Sequence, residues 1–177
     1  MSNYYHNNYK QFYEQTVDID PSSFLTSFVR AIPSQSSILD VGCGSGRDLL
    51  WLKKQGFPAI GFEHSAGLAG LARKHSGCEV IEGDFEIYYF SHNSFDALLA
   101  SGSLVNVPHD YLTTVLESIL QSFDRGSIHA HYMYISLKAG IGTIKDAQNR
   151  IFYLWDEETL KQIFYDLEFN IINISKS

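Results

Sequence analysis

The sequence predicts an α/β fold, a doubly wound and mostly parallel sheet with helices on both faces. Two observations carry this. Apolar runs of strand length alternate with segments of helical periodicity at short intervals along the 177 residues, the pattern of parallel strands joined by helical crossovers. In "ILDVGCGSGRDLLWL", residues 38–52, a strand-like run meets three glycines and then an amphipathic pattern, as at a strand-to-helix turn. No repeat or low-complexity linker interrupts the alternation, so residues 1–177 are expected to form one domain.

The elements follow in order. In residues 21–31, "PSSFLTSFVRA", Phe24, Leu25, Phe28 and Val29 share one helical face, with Asp20 as cap and Pro21 in the first turn. Then come a strand (37–41), a helix (46–55), a strand (58–63), a helix (66–75) and a strand (78–82). A strand at 96–101, a helix at 110–122 and a strand ending near Leu137 continue the series. "WDEETLKQIF" predicts a helix at 156–166, capped by Asp156 with acids in its first turn. "FNIINIS", 169–175, reads as a last strand.

Composition narrows the function. The net charge is −7 with no Lys/Arg cluster, which disfavours nucleic acid as a partner, because counterion release needs several basic residues on one face. No apolar run reaches the roughly 18 residues of a membrane span. Only Cys43 and Cys78 are present, so a disulfide framework is not expected and a cytoplasmic location is the default.

Ligands of open α/β sheets bind at the carboxyl ends of the strands, and the unusual residues of this chain fall there. Gly42, Gly44 and Gly46 read G-x-G-x-G after the first strand. A dinucleotide fingerprint would have glycine at position 47, where Arg47 stands, and the Gly-Lys-Ser/Thr ending of a phosphate loop is missing. The loop lets a ligand approach the backbone; a merely tight turn is the alternative. Glu63 ends the second strand, 21 positions after Gly42, where its carboxylate can accept both hydroxyls of a ribose. Asp84, in "EGDFE" after the third strand, can accept an adenine amine with Phe85 beside the ring, and Ser101 and Gly102 close the fourth strand on the other lip of the crevice. Four successive strand ends thus supply groups compatible with a nucleoside.

"ILDVGCGSGRD", "IGFEHS", "EGDFE" and "LLASGSLVNVP" resemble, in order, the motifs of class I S-adenosylmethionine (SAM)-dependent methyltransferases. Within that superfamily the chain is most similar to small bacterial enzymes of the tellurite-resistance-methyltransferase-like type. The resemblance implies a Rossmann-like methyltransferase sheet and SAM as cofactor. Gly42 and Gly44 would pack against its methionine part, Glu63 would take the ribose, and Asp84 with Phe85 the adenine. His64 would lie against the adenine edge, and Ser101 on the opposite lip. Tyr5, Asn8, Phe12 and Thr16 fall where the family has a tyrosine-led segment over the cofactor, so residues 1–20 are expected to form a lid. The bland reading of that segment is an amphipathic helix docked on the sheet.

The acceptor is expected to be a small-molecule nucleophile. A protein or peptide methyltransferase and a SAM-binding regulatory module without turnover remain alternatives, the latter because relatives commonly have His where Asn106 stands. No residue identifies itself as a general base: Asn106 and His109 follow the fourth strand, and Lys138 and Arg150 lie in a loop where they can orient an anionic substrate. His129 and His131 would share a strand face, but a third metal ligand is not evident and no metal site is expected. Enzymes of this class are expected to end in two strands, of which "FNIINIS" supplies one. The open edge beside the strand ending near Leu137 is therefore expected to drive formation of a homodimer.

Overall fold

The computed structural model describes residues 4–123, 126 and 130–176. Five parallel strands, β1 (Ile38–Val41), β2 (Ala59–Glu63), β3 (Val80–Glu82), β4 (Ala97–Ser101) and β5 (Tyr132–Ser136), form a sheet in the order β3-β2-β1-β4-β5. The order reverses direction at β1, so the crevice between the ends of β1 and β4 is the topological switch point. α1 (Tyr4–Asn7) and α2 (Tyr9–Thr16) precede α3 (Ser22–Ala31), α4 (Arg47–Lys54), α5 (Ala66–Ser76), α6 (His109–Leu120) and α7 (Glu157–Asp166).

Alternation along each strand divides the core between the two faces. Leu39, Val41, Phe62, Leu98 and Ala100 pack with Leu112, Val115, Leu116 and Ile119 of α6, and α7 adds Leu160 and Ile163. Ile38, Ala97 and Leu99 face the other way, onto Leu25 and Phe28 of α3 and Leu52 of α4. Leu49 of α4 and Ala69 and Ala72 of α5 complete that side with Val80. Asp40 alternates with Leu39 and Val41, so it lies on the α3–α5 side, buried in a strand that is otherwise apolar.

The expected helices and parallel strands are present with shifts at their ends. Asp20 accepts the Ser22 amide at 2.9 Å, and Asp156 accepts that of Thr159 at 2.9 Å. "FNIINIS" is the exception, since residues 169–176 form no strand. Phe169 donates its amide to Phe164, Lys176 pairs with Glu157, and Ile172 and Ile174 stand exposed. Alternating apolar residues make a strand only where a neighbour completes the ladder, and none does so here among the described residues.

A second sheet takes shape where the sequence suggests only a loop. β6 (Lys138–Ala139), β7 (Gly142–Lys145) and β8 (Ile151–Trp155) pair in the order β6-β8-β7, with β7 antiparallel to β8. β6 follows directly from the end of β5, and the Tyr153 amide donates to Val105 just beyond β4. The small sheet therefore stands at the carboxyl ends of the large one. His129 lies outside the described residues, as do residues 124, 125, 127 and 128; His131 stacks on Phe123 at 4.5 Å between ring centroids.

Gly46, at the start of α4, has φ +77°, and a Cβ there would stand 2.8 Å from the Ala72 backbone. Gly56 has φ +87° but open space around it. Gly56→Ala should therefore cost only the left-handed backbone strain, about 1–2 kcal/mol. Gly46→Ala should cost that plus about 1–3 kcal/mol for forcing α4 from α5. Urea unfolding of the two variants checks the difference, and equal losses would contradict the close helix approach.

Candidate functional site

The glycine loop turns sharply at the end of β1. Gly42 and Gly44 have φ +74° and +55°, a left-handed backbone that glycine adopts without strain. The amides of Gly42 and Cys43 both donate to the Phe62 carbonyl, which binds the loop to β2. Gly42 admits close approach from β4's side, since a Cβ on it would meet Ser103 at 2.4 Å.

Glu63, at the end of β2, is the next component. It is 7% exposed and its carboxylate spans two backbone amides: Gly44 donates to Oε2 at 3.0 Å and Ser65 to Oε1 at 2.8 Å. Burial raises its carboxyl above the ordinary range, and the Ser65 and Gly44 hydrogen bonds work against that rise. Each oxygen keeps a further lone pair for a ligand hydroxyl. Ser65 caps α5 by accepting the Leu68 amide at 3.4 Å.

Two buried atoms beside the loop find no hydrogen-bond partner among the described residues, Asp40 Oδ2 and Ser103 Oγ. Burial pushes the Asp40 carboxyl well above the usual carboxylate range, and the nearby Asp48 adds to the shift. Asp48 itself is held by Arg47 at 2.7 Å. Sequence reasoning missed both Asp40 and Ser103. The available signal for Asp40 was an acid inside an apolar strand expected to be covered on both faces.

On the β3 side, His64 and Asp84 come together, with Nδ1 3.7 Å from Oδ2. Asp84 also accepts the Glu86 amide at 2.9 Å. Phe85 is buried within the core under α6, so its ring belongs to the packing of that face. A hollow of about 250 Å³ opens beside Asp84, lined by Gly83, Ile87, Tyr88, Tyr89 and His92. Ser101 ends β4 in register with Ser136, whereas the side chain from this strand end that meets the glycine loop is Ser103.

α1 and α2 lie across these strand ends and pack on α5. A Cβ on Gly44 would meet the Phe12 ring at 3.2 Å, and one on Gly67 would meet Tyr9 at 2.6 Å. Tyr5 accepts the Ser65 hydroxyl at its carbonyl, at 3.1 Å, and its ring stands edge-on to Phe12. Burial raises the Tyr5 phenol above its ordinary value. The Tyr5 hydroxyl donates to Asn106 Oδ1 at 3.1 Å, and Asn106 Nδ2 donates to the Ile151 carbonyl of β8 at 2.6 Å.

The other polar candidates hold the second sheet. His109 Nε2 lies 2.8 Å from the Leu154 carbonyl; a carbonyl only accepts, so that nitrogen carries the proton. The ring also packs against Tyr153 and Trp155. Arg150 is paired with Asp146 at 2.7 Å and stacked over Tyr4, Tyr5 and Phe152. That corrects its expected place as a free cation for an anionic substrate. Lys138 is exposed, with its ammonium over Phe152.

The raised carboxyls set a pH dependence. Their stabilising contribution is present below the unfolded values of about 4 and is lost as pH rises through the folded ones. At neutral pH the ligand-free crevice therefore holds buried acids at a cost to stability. Asp40→Asn keeps the shape and removes the ionisation. It should raise the thermal midpoint of the ligand-free protein near pH 8 and reduce the decline in stability above pH 5. Thermal melts across that range check it, and a lower midpoint at pH 8 would contradict the assignment.

Comparison with known proteins bears on this arrangement. A family model described as a methyltransferase domain matches residues 38–126, half of the chain. No curated protein matches the sequence significantly. Solved structures share the fold at low identity. A SAM-dependent methyltransferase from Methanosarcina mazei aligns with a TM-score of 0.71 at 18% identity, over 88% of this chain and 87% of its own. A TehB-like SAM-dependent methyltransferase from Corynebacterium glutamicum aligns with a TM-score of 0.61 at 18% identity, over 92% and 80%. The 1,6-didemethyltoxoflavin-N1-methyltransferase of Burkholderia thailandensis, solved with 1,6-didemethyltoxoflavin and S-adenosylhomocysteine (SAH), aligns with a TM-score of 0.67 at 18% identity, over 96% and 75%.

Proposed function

The chain belongs to the methyltransferase domain family, and from that premise we propose that it transfers the methyl group of SAM to a small-molecule nucleophile. The observation that carries this reading is the connected set of Gly44, Glu63 and Ser65 beside the unpartnered Asp40 Oδ2 and Ser103 Oγ. These residues fit the cofactor. Glu63 suits the ribose hydroxyls, the buried Asp40 carboxylate suits a cationic amino group, and the left-handed glycines let the ligand lie on bare backbone. Asp84 and His64, 3.7 Å apart on the β3 side, suit the adenine. When bound, SAM supplies a methyl group already activated on a sulfonium.

The protein's share of the work is alignment and exclusion of water. α1 and α2 act as a lid, with Phe12 and Tyr9 pressed over the glycine loop and α5. With the lid on one side and the second sheet at the β4 and β5 ends, an acceptor approaching between them is better matched by a small molecule than by a protein surface. The co-bound 1,6-didemethyltoxoflavin of the Burkholderia enzyme is an acceptor of that size class. Asn106 is an amide, and His109 Nε2 is engaged by a carbonyl. Asn106 offers no base, and with Nε2 protonated the lone pair of the His109 ring is on Nδ1.

The outer edge of β5 has no strand partner among the described residues. Edges of this kind template pairing with another chain, and a homodimer across β5 belongs to the same reading. A concentration-dependent mass in analytical ultracentrifugation is the expected result; a monomer at high micromolar concentration would exclude it.

Calorimetry tests the cofactor reading. SAH should bind and NAD should not. Glu63→Ala should weaken SAH by about 1.5–3 kcal/mol, roughly ten- to a hundredfold, and by more if the freed Gly44 and Ser65 amides let the loop relax. Deleting residues 1–16 should weaken SAH binding without unfolding the sheet. Binding of NAD with no response to SAH would overturn the assignment.

A further inference from the structure

A single hydrogen-bonded path runs from the glycine loop to the second sheet. Gly44 donates to Glu63, Ser65 donates its amide to Glu63 and its hydroxyl to the Tyr5 carbonyl, and the Tyr5 hydroxyl donates to Asn106. Asn106 in turn donates to the Ile151 carbonyl at 2.6 Å. Tyr5 is the one member that touches both sides, its carbonyl on the crevice and its hydroxyl toward β8. Arg150 supports the same junction, its guanidinium 4.5 Å from the Tyr4 ring and 5.2 Å from Phe152.

The lid helices and β7 are lightly packed, whereas β8 is also anchored by its buried Phe152 and Trp155 and by the Tyr153–Val105 and His109–Leu154 bonds. No residue of α1 or α2 is fully buried, and β7 is exposed along its whole length. Segments with few buried contacts open locally at low free energy. The seating of the lid and of the β7–β8 hairpin therefore depends in part on the bonds they share, and to that extent whatever seats one favours the other.

We infer that Tyr5 is a positioning residue that couples occupation of the glycine-loop crevice to seating of the β7–β8 hairpin, so that the cofactor prepares the acceptor side. The inference rests on the cofactor reading above. It assigns Asn106 a definite task, as the relay between the lid and β8. An amide serves there because it accepts from Tyr5 and donates to Ile151 at once. It also gives Arg150 a task other than substrate binding, since its stacked and paired guanidinium fixes the hairpin tip to the lid.

Hydrogen exchange at residues 142–155, measured without and with saturating SAH, tests the coupling. In the wild type SAH should slow exchange in β8 at least about tenfold. Tyr5→Phe removes one hydroxyl, should weaken SAH only about three- to tenfold, and should abolish most of the SAH-dependent slowing. Asn106→Asp keeps an acceptor for Tyr5 and removes the donor to Ile151. It should bind SAH nearly as the wild type does while losing the slowing. The readout is the change on adding SAH, which a merely structural role for either side chain would leave intact. Equal slowing in both saturated variants and the wild type would overturn the link. SAH binding that leaves the wild-type hairpin unchanged would overturn the link alone, whereas no SAH binding at all would overturn the function reading with it.

Discussion

The Glu63 carboxylate ties the glycine loop to the start of α5 and, through Ser65, to the N-terminal segment. Its two oxygens hold the amides of Gly44 and Ser65, so the glycine loop after β1 and the start of α5 after β2 are fixed to one planar group. Ser65 then carries the Tyr5 carbonyl, which brings the N-terminal segment into the same assembly. A neutral side chain of similar size would satisfy only one of the two amides, because an amide group has a single acceptor oxygen. The position thus requires an acid for structural reasons before any ligand is considered. In the proposed function that same acid takes the ribose.

Acids accumulate around this point. Asp40, Asp48 and Glu63 are all buried, and Arg47 pairs with Asp48. A buried carboxylate is tolerated when it is hydrogen-bonded or faces a cation. Asp48 and Glu63 meet the first condition. Asp40 has one oxygen unpartnered among the described residues, and Arg47 only partly offsets its burial. The imbalance fits a site completed by a cationic ligand, and it places part of the cost of binding in the ligand-free fold.

The second sheet is an addition at the carboxyl ends of the large one. Its anchors are backbone or near-backbone contacts, Tyr153 to Val105, His109 to Leu154 and Asn106 to Ile151. They attach it to the loop after β4 and to the start of α6, and its Trp155 joins the core that packs on β1, β2 and β4. Through Asn106 and Tyr5 the hairpin is also joined to the glycine-loop side.

The sequence by itself determined the parallel sheet, the order of its elements to within a few residues, the glycine turn and the acids and serines at the strand ends. Those features are local: periodicity of two or 3.6, caps and left-handed turns are written in adjacent residues. Tertiary structure decided the rest, because it depends on partners far apart in the chain. "FNIINIS" has the alternation of a strand and no neighbour to pair with, while the stretch from Lys138 to Trp155 pairs with itself and becomes a sheet. Arg150 has the composition of a substrate ligand and is spent on Asp146 and three aromatic rings. Asp40 is an ordinary acid until burial removes its water. Tyr5 and Asn106 stand 101 positions apart, and only the closing of the N-terminal helices over the sheet brings a hydroxyl to an amide that can pass the contact on.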